Sequence, residues 1–248
     1  MIDTKLLRQK ILDLAIRGKL VPQDPNDEPA CELLKKIKAE KEALIKAGKL
    51  KRDKHESFIF RGDDNCYHEN IDGKTVDITN EISFDLPRGW AVARIGQFIR
   101  LVNGRAYKQN ELLSSGRYKV LRVGNFFTNS SWYYSDLELE PEKYCYPGDL
   151  LYAWSASFGP QIWTGPKTIF HYHIWNVKFP EILFDKYYLY HFFMYDKDKL
   201  QGSTTGSTMV HVSMEHMTPR FIPIPPLAEQ KRIVSQVENL FSIIETMR

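Results

Sequence analysis

Apolar residues recur at helical spacing at both ends of the chain, whereas apolar and polar positions alternate in parts of the middle. Near the N-terminus, Leu7, Ile11 and Leu14 form one stripe, and Gly18 follows as a helix stop. A second stripe of leucine and isoleucine extends over the following segment. These spacings predict two N-terminal helices, over residues 3–17 and 29–47.

A third helix pattern follows a double proline near the C-terminus. Pro225 and Pro226 cannot continue a sheet ladder, but proline is tolerated in the first turn of a helix. The pattern after them has apolar residues three and four apart, as in a heptad seam: Val234, Val237, Phe241 and Ile244. We predict a helix over 226–248 whose seam pairs with Leu7, Ile11 and Leu14, in the same chain or in a second copy.

The middle of the chain, residues 55–225, has mostly strand character, and its main body begins at about residue 86. Residues 57–60 and 74–79 alternate in polarity, and Asp72-Gly73 is a tight-turn signal. Residues 126–195 hold 22 of the 32 aromatic residues, most of which we assign to a core. The predicted fold class is α+β, with a helical region over 1–50, this strand-rich domain and the C-terminal helix forming a coiled-coil-like arm with the N-terminal region.

Composition favours a globular protein of the cytoplasm. The chain has 248 residues, 43% of them hydrophobic and 26% charged, and contains no apolar run long enough for a membrane span. Its N-terminus is too charged for a signal peptide. The three cysteines form no CxxC motif, which favours a reducing compartment and argues against a zinc site.

Positive charge is concentrated in one segment. Residues 31–54 contain nine Lys or Arg and four acids, a net charge of +5, while the whole chain has a net charge of +3. A basic helix face is most often simply solvated, but a polyanionic partner is the alternative hypothesis.

The segment PPLAEQKRIV, at 225–234, resembles the start of a conserved helix in specificity subunits of type I restriction-modification systems. Four further stretches resemble the same family, in the family's order: 7–44, 86–98, 144–160 and 203–234. The resemblance implies a subunit that binds double-stranded DNA and places two partners on it, a methyltransferase (modification) subunit and a restriction (endonuclease-translocase) subunit. It also implies helices that set the spacing between two half-sites.

Full subunits of this family usually have two recognition domains, whereas this chain has one recognition-like domain, over 55–225. We therefore expect a half-subunit, which would form a homodimer, or a fragment of a longer subunit. In either case the chain would read one half of a bipartite target.

The motifs of catalysis are missing from the sequence. The Pro225-Pro226 pair lacks the Asn or Asp before it and the aromatic residue after it that an adenine methyltransferase needs, and no GxxxxGK[ST] motif occurs. We expect no enzymatic activity, no cofactor and no metal. Two alternatives stay open: a metal-dependent nuclease using Asp63, Asp64 and Asp72, and a non-catalytic oligomerisation or ligand-binding protein. For the pair His171 and His173 we favour a structural role.

DNA sequence is read by side chains that reach base edges, and phosphates are held by basic and hydroxyl groups. We expect the base-reading side chains of this chain to be Arg, Lys, Asn and Gln on loops. The loop over 102–110 and the loop over 122–131 supply the first candidates, and the Gly/Ser/Thr loop over 202–208 suits phosphate. We assign residues 154–157 to the same surface, although core packing is the stronger alternative for Trp154. The predicted DNA-binding residues are Asn103, Arg105, Tyr107, Lys108, Arg122, Asn125, Trp154, Ser155, Ser157, Thr204, Thr205, Ser207, Thr208 and His211.

Overall fold

The computed structural model describes residues 3–49, 57–83, 85–127, 129–155, 158–202 and 212–247. The helices are α1 Thr4–Ile16, α2 Ala30–Lys46, α3 Ile95–Phe98, α4 Val123–Phe127, α5 Lys186–Gly202, α6 Met214–Met217 and α7 Leu227–Thr246. The strands are β1 Ser57–Arg61, β2 Tyr67–Ile71, β3 Lys74–Asp77, β4 Ala91–Arg94, β5 Arg100–Asn103, β6 Tyr118–Leu121, β7 Tyr133–Ser135, β8 Tyr144–Cys145, β9 Leu150–Ala153, β10 Gly159–Ile162, β11 Thr168–Phe170, β12 Ile174–Lys178 and β13 Phe221–Ile224. The predicted α+β class is confirmed.

None of the helices in the described part of the chain is both long enough and apolar enough to cross a membrane. The predicted turn between β2 and β3 is present, because Asp72 and Gly73 both have positive φ angles, of 50° and 85°. Positive φ at both central residues is the geometry that Asp-Gly favours in a hairpin. The turn therefore fixes the register of this hairpin locally.

Contacts divide the chain into two compact units, along lines other than the sequence patterns predicted. Unit 1 contains Met1–Phe98, Pro180–Tyr188 and Thr218–Arg248, and unit 2 contains Ile99–Phe179 and Leu189–Met217. Strands β1–β4 and β13, which we had placed in one domain with the other strands, thus belong with the terminal helices. The reason is a non-local pairing, since β13 is antiparallel to β4 and carries the chain directly into α7.

Within unit 1, the first and last long helices contact each other. The Arg8 guanidinium donates to Glu245 at 3.0 Å and lies 4.5 Å from the centre of the Phe241 ring. The buried residues of these helices are Ile11, Leu12, Ala15 and Ile16 on α1, and Ile233, Val237 and Ile244 on the apolar face of α7. Of the predicted seam, Ile11, Val237 and Ile244 are therefore buried, and the other members are more exposed. Leu14, Val234 and Phe241 are half-buried, and Leu7 is exposed.

The first turn of α7 is fixed by two buried polar side chains. Glu229 accepts hydrogen bonds from Trp90 Nε1 at 2.9 Å and from Gln23 Nε2 at 2.5 Å. Gln230 donates to the carbonyl oxygen of Leu183 and accepts from the backbone N–H of Asp185. The Glu-Gln pair of the PPLAEQKRIV segment therefore binds three other segments of unit 1 to the start of α7.

Unit 2 contains two four-stranded sheets, with strand orders β10-β9-β12-β5 and β7-β6-β11-β8. In the second sheet, β11 is parallel to β6 and antiparallel to β8. Aromatic side chains form much of the interior of the unit: Tyr152 stacks on Trp175 with ring centres 5.8 Å apart, and Phe193 meets the edge of Tyr152. Both Tyr152 and Trp175 are 1% exposed, which agrees with the core predicted from aromatic density.

Candidate nucleic-acid interface

The loop that follows β5 begins with an unusually close approach of two backbone segments. A β-carbon on Gly104 would lie 2.2 Å from the carbonyl oxygen of Phe170, so no larger residue fits there. The Arg105 N–H donates to that same carbonyl oxygen at 3.0 Å. The loop is thereby fixed against the turn between β11 and β12.

That turn consists of His171, Tyr172 and His173, and we call it the aromatic turn. The Tyr172 N–H donates to the Arg105 carbonyl oxygen at 3.1 Å, and the Tyr172 carbonyl oxygen accepts from Trp154 Nε1 at 2.8 Å. Its backbone is therefore held from both sides, while the Tyr172 side chain is 37% exposed. The sequence patterns gave no role to Tyr172, although an aromatic residue between two histidines was a signal available for it.

Arg105 is oriented by a carboxylate of its own loop. Its two terminal nitrogens donate to the two oxygens of Glu111, each at 2.8 Å. The pairing with Arg105, helped by the Lys108 N–H, lowers the pKa of Glu111 to about 2. Glu111 is therefore ionised at neutral pH and holds the guanidinium in one place, half-exposed to solvent.

The other candidates of this loop surround Arg105. Tyr107 stacks beside His171 with ring centres 6.3 Å apart, and burial raises the pKa of its phenol. Lys108 is exposed. Asn103 is also exposed, and its carbonyl oxygen accepts from Lys143 Nζ at 2.8 Å. Of these residues, Lys108 and Asn103 present their side chains most openly.

Arg122 follows Leu121, the last residue of β6, whose carbonyl oxygen accepts from the His171 N–H at 2.9 Å. It lies half-buried over the ring of Tyr133, 4.7 Å from the ring centre. Burial first, and then the charges of His173 and Arg122, lower the pKa of His171 to about 4. His171 is consequently neutral at physiological pH and can accept as well as donate a hydrogen bond.

Two of the predicted DNA-binding residues, Asn125 and Ser155, are bonded or buried within the protein. The Asn125 side-chain amide donates to the carbonyl oxygens of Asn129 and Ser131, at 3.1 and 2.6 Å, and so shapes its own loop. Ser155 is only 3% exposed. Trp154 is half-buried and stacks on Trp175, which agrees with the packing alternative.

Several predicted DNA-binding residues lie outside the described part of the chain. They are Ser157, Thr204, Thr205, Ser207, Thr208 and His211. Among the residues that the structure does describe, no group of three or more His, Cys, Asp or Glu side chains could hold a metal ion.

Comparison with known proteins identifies the family. Residues 87–248, well over half of the chain, match the family model described as type I restriction modification DNA specificity domain. The chain belongs to this family. The resemblance inferred from PPLAEQKRIV and the four other segments is thus confirmed.

Two curated members of the family from Escherichia coli are similar to this chain. The EcoAI specificity subunit is 42% identical over 119 residues, which cover 48% of this chain and 17% of that protein. The EcoEI specificity subunit is 27% identical over 268 residues, which cover 98% of this chain and 41% of that protein. The chain therefore spans less than half the length of these relatives.

Two solved structures share the fold of this specificity-domain chain. One comes from a study of complex assembly and conformational transition of the type I R-M system, with a TM-score of 0.56 and 14% identity, covering 98% of this chain and 51% of that chain. The other is the HsdS subunit from Thermoanaerobacter tengcongensis, with a TM-score of 0.53 and 18% identity, covering 67% of this chain and 41% of that chain.

The arrangement in this specificity-domain chain combines cations with exposed rings at one place. The aromatic turn is hydrogen-bonded to Arg105 and to Leu121, which precedes Arg122, and Lys108 lies on the same loop as Arg105. Guanidinium groups can pair with phosphates or with guanine edges, and a fixed aromatic ring can pack on bases or sugars. The sequence patterns predicted both arginines but not the aromatic turn, whose backbone bonds to Arg105 and to the residue before Arg122.

Proposed function

We propose that this chain reads one half of a bipartite DNA target as a type I specificity subunit or as part of one. Membership of the specificity-domain family supports the general role. The observation that supports the residue assignment is that the backbone of the aromatic turn is hydrogen-bonded both to Arg105 and to Leu121, the neighbour of Arg122 in the chain. In this proposal unit 2 supplies the base and phosphate contacts.

The remaining parts of the proposal concern partners. A methyltransferase subunit and an endonuclease-translocase subunit supply the chemistry, and this chain positions them in the cytoplasm without catalysing a reaction itself. Helices α1 and α7 contribute to a spacer, because a helix advances about 1.5 Å per residue and so converts length into half-site spacing. A second copy of the chain is one source of the second half-site reader.

The DNA-reading surface is tested with Arg105→Ala combined with Lys108→Ala in the full chain. Sequences are first selected from a pool of randomised duplex DNA by binding to the parent protein, and affinities are then measured by fluorescence anisotropy. We expect the double variant to bind the selected duplex at least about tenfold more weakly, since each lost base contact costs about 1–3 kcal/mol. Its affinity should also fall less steeply with salt.

Controls separate contact from folding. Glu111→Gln removes the charge that orients Arg105 but leaves the guanidinium, so it should weaken binding less than the double variant does. Lys74→Ala changes an exposed lysine in unit 1 and should leave the affinity unchanged. Unaltered binding by the double variant would show that the surface is misplaced, and methyl transfer to DNA by this chain alone would contradict the non-catalytic role.

A further inference from the structure

Unit 1 contains a large cleft that the DNA-reading proposal does not use. Its volume is about 1820 Å³, and it is lined by one side of α2, by β1, by the Asp72-Gly73 turn and by residues 87–98. All of the described residues that line it belong to unit 1. Small-molecule pockets are typically about 300–1,000 Å³, so a cleft of this size suits a polypeptide segment better.

The interior of the cleft carries apolar side chains that the chain itself leaves incompletely covered. Only Ala30 and Leu33 of α2 are buried. Further along the same helix, Leu34 and Ile37 are half-buried and Leu44 is 45% exposed. Leu34 and Ile37 are three residues apart, and Ile37 and Leu44 are seven apart, so the three side chains share one face of the helix.

The sheet contributes two phenylalanines to the same cleft. Phe58 and Phe60, on β1, are 38% and 39% exposed, and their ring centres are 5.7 Å apart. Lys38 Nζ lies 3.4 Å from the centre of the Phe58 ring, so α2 and β1 are in contact there and form adjoining walls of the cleft. The cleft therefore has an apolar lining on two sides.

Positive charge predominates among the described residues that line the cleft. The acids are Glu40, Glu42 and Asp72, and the cations are Lys35, Lys38, Lys41, Arg61, Arg88 and Arg94. Arg94 is held by the buried Glu69, and Lys35 pairs with Glu32 at 2.8 Å. Lys38 and Arg88 are exposed, so they give the rim a positive character that is available to a partner.

We propose that this cleft binds an acidic amphipathic helix of a partner protein. The apolar face of that helix would pack on Leu34, Ile37, Leu44 and the two phenylalanines, and its acids would face Lys38 and Arg88. Helix-in-groove recognition uses apolar anchors at this helical spacing. Duplex DNA fits less well, because a phosphate surface offers nothing apolar to cover Phe58 and Leu44.

The test uses the full chain and a fluorescein-labelled peptide of about 20 residues, long enough to form a helix, with leucine at heptad a and d positions and glutamate elsewhere. A matched peptide has lysine in place of every glutamate. We expect the acidic peptide to bind at least about tenfold more tightly than the basic peptide, the effect of about 1.4 kcal/mol of charge complementarity. Equal affinities would overturn the proposal.

Variants locate the binding to the cleft. The double variant Lys38→Glu/Arg88→Glu should bind the acidic peptide at least about tenfold more weakly. The control Lys46→Glu/Lys74→Glu changes two exposed lysines that are not among the described lining residues, and it should bind the peptide with nearly unchanged affinity. Phe58→Ala should weaken binding too, and Tyr146→Ala, a comparably exposed ring in unit 2, should not. Circular dichroism checks that each variant is folded.

Two outcomes would contradict the helix assignment. Peptide binding that is the same in the cleft variants and in their matched controls would place the peptide elsewhere. Competition by a duplex oligonucleotide, with DNA affinity lost in Lys38→Glu/Arg88→Glu but kept in Phe58→Ala, would make the cleft a phosphate-binding site. Neither outcome affects the DNA-reading proposal, which depends on Arg105 and Lys108 in unit 2.

Discussion

At the scale of single residues, Glu229 is an acid at the start of a helix whose side chain is buried and hydrogen-bonded. An acid in the first turn of a helix is favoured by the helix dipole and is usually solvated. Here the carboxylate is only 1% exposed and accepts from Trp90 and Gln23. The sequence predicted the position of Glu229 in the helix but could not predict these partners, which are 139 and 206 residues away.

Replacing Glu229 with alanine should destabilise the protein. The change leaves the N–H of Trp90, a residue that is 7% exposed, without its acceptor, and an unsatisfied buried donor costs roughly 1–3 kcal/mol. We expect a decrease of that size in the free energy of unfolding, measured by urea titration with tryptophan fluorescence. Glu238→Ala, an exposed position on the same helix, is the control and should change stability little.

The pH dependence of the Glu229→Ala effect provides a second readout. Burial raises the pKa of Glu229, and the hydrogen bonds from Trp90 and Gln23 only partly oppose it. Because the folded pKa lies above the unfolded value of about 4.3, the carboxyl stabilises the fold most at low pH, and this part is lost as the pH rises through the folded pKa. The stability difference between parent and variant should therefore shrink over that window. A constant difference would contradict the burial of this carboxyl.

At the scale of the elements, the lengths of the long helices followed from the sequence, and the faces that they bury followed only in part. The predicted ranges 3–17 and 29–47 agree with α1 Thr4–Ile16 and α2 Ala30–Lys46 to within a residue or so at each end. Hydrophobic periodicity and stop signals are local, so they can be read without the fold. The seam of α7 instead depends on what α7 packs against, and Ile233 is buried where Val234 had been favoured.

Alanine substitutions at Ile233 and at Val234 distinguish the buried face of α7 from the predicted heptad seam. Ile233 is 1% exposed, so Ile233→Ala should lower the free energy of unfolding by about 2–5 kcal/mol through lost burial and the cavity left behind. Val234→Ala, at a half-buried neighbour, should cost clearly less. Both are measured by urea unfolding under the same conditions. A larger cost at Val234 would support the original heptad seam instead.

At the scale of the whole molecule, exposed apolar residues of α1 and α7 are the basis for the proposed homodimer. Leu6 and Ile243 are 63% and 43% exposed, and the contact between Arg8 and Glu245 brings these parts of the two helices together. An unpaired apolar helix face favours helix–helix association.

We expect sedimentation equilibrium at micromolar concentration to give twice the mass of the chain. Leu6→Glu with Ile243→Glu should reduce it to the mass of one chain, because each charge would be buried in the helix–helix contact. Ile182→Glu, at a position that is 59% exposed elsewhere in unit 1, should leave the dimer intact. A parent protein that stays monomeric would exclude pairing between two copies under these conditions.

By itself the sequence determined the local elements and the family. Helical periodicity, the Asp72-Gly73 turn and the order of the PPLAEQKRIV segment and its companions are all properties of neighbouring residues. The tertiary structure decided which residues meet. It joined β13 to β4 and the aromatic turn to Arg105, because strand pairing and burial depend on segments that are far apart in the chain. No local pattern contains that information.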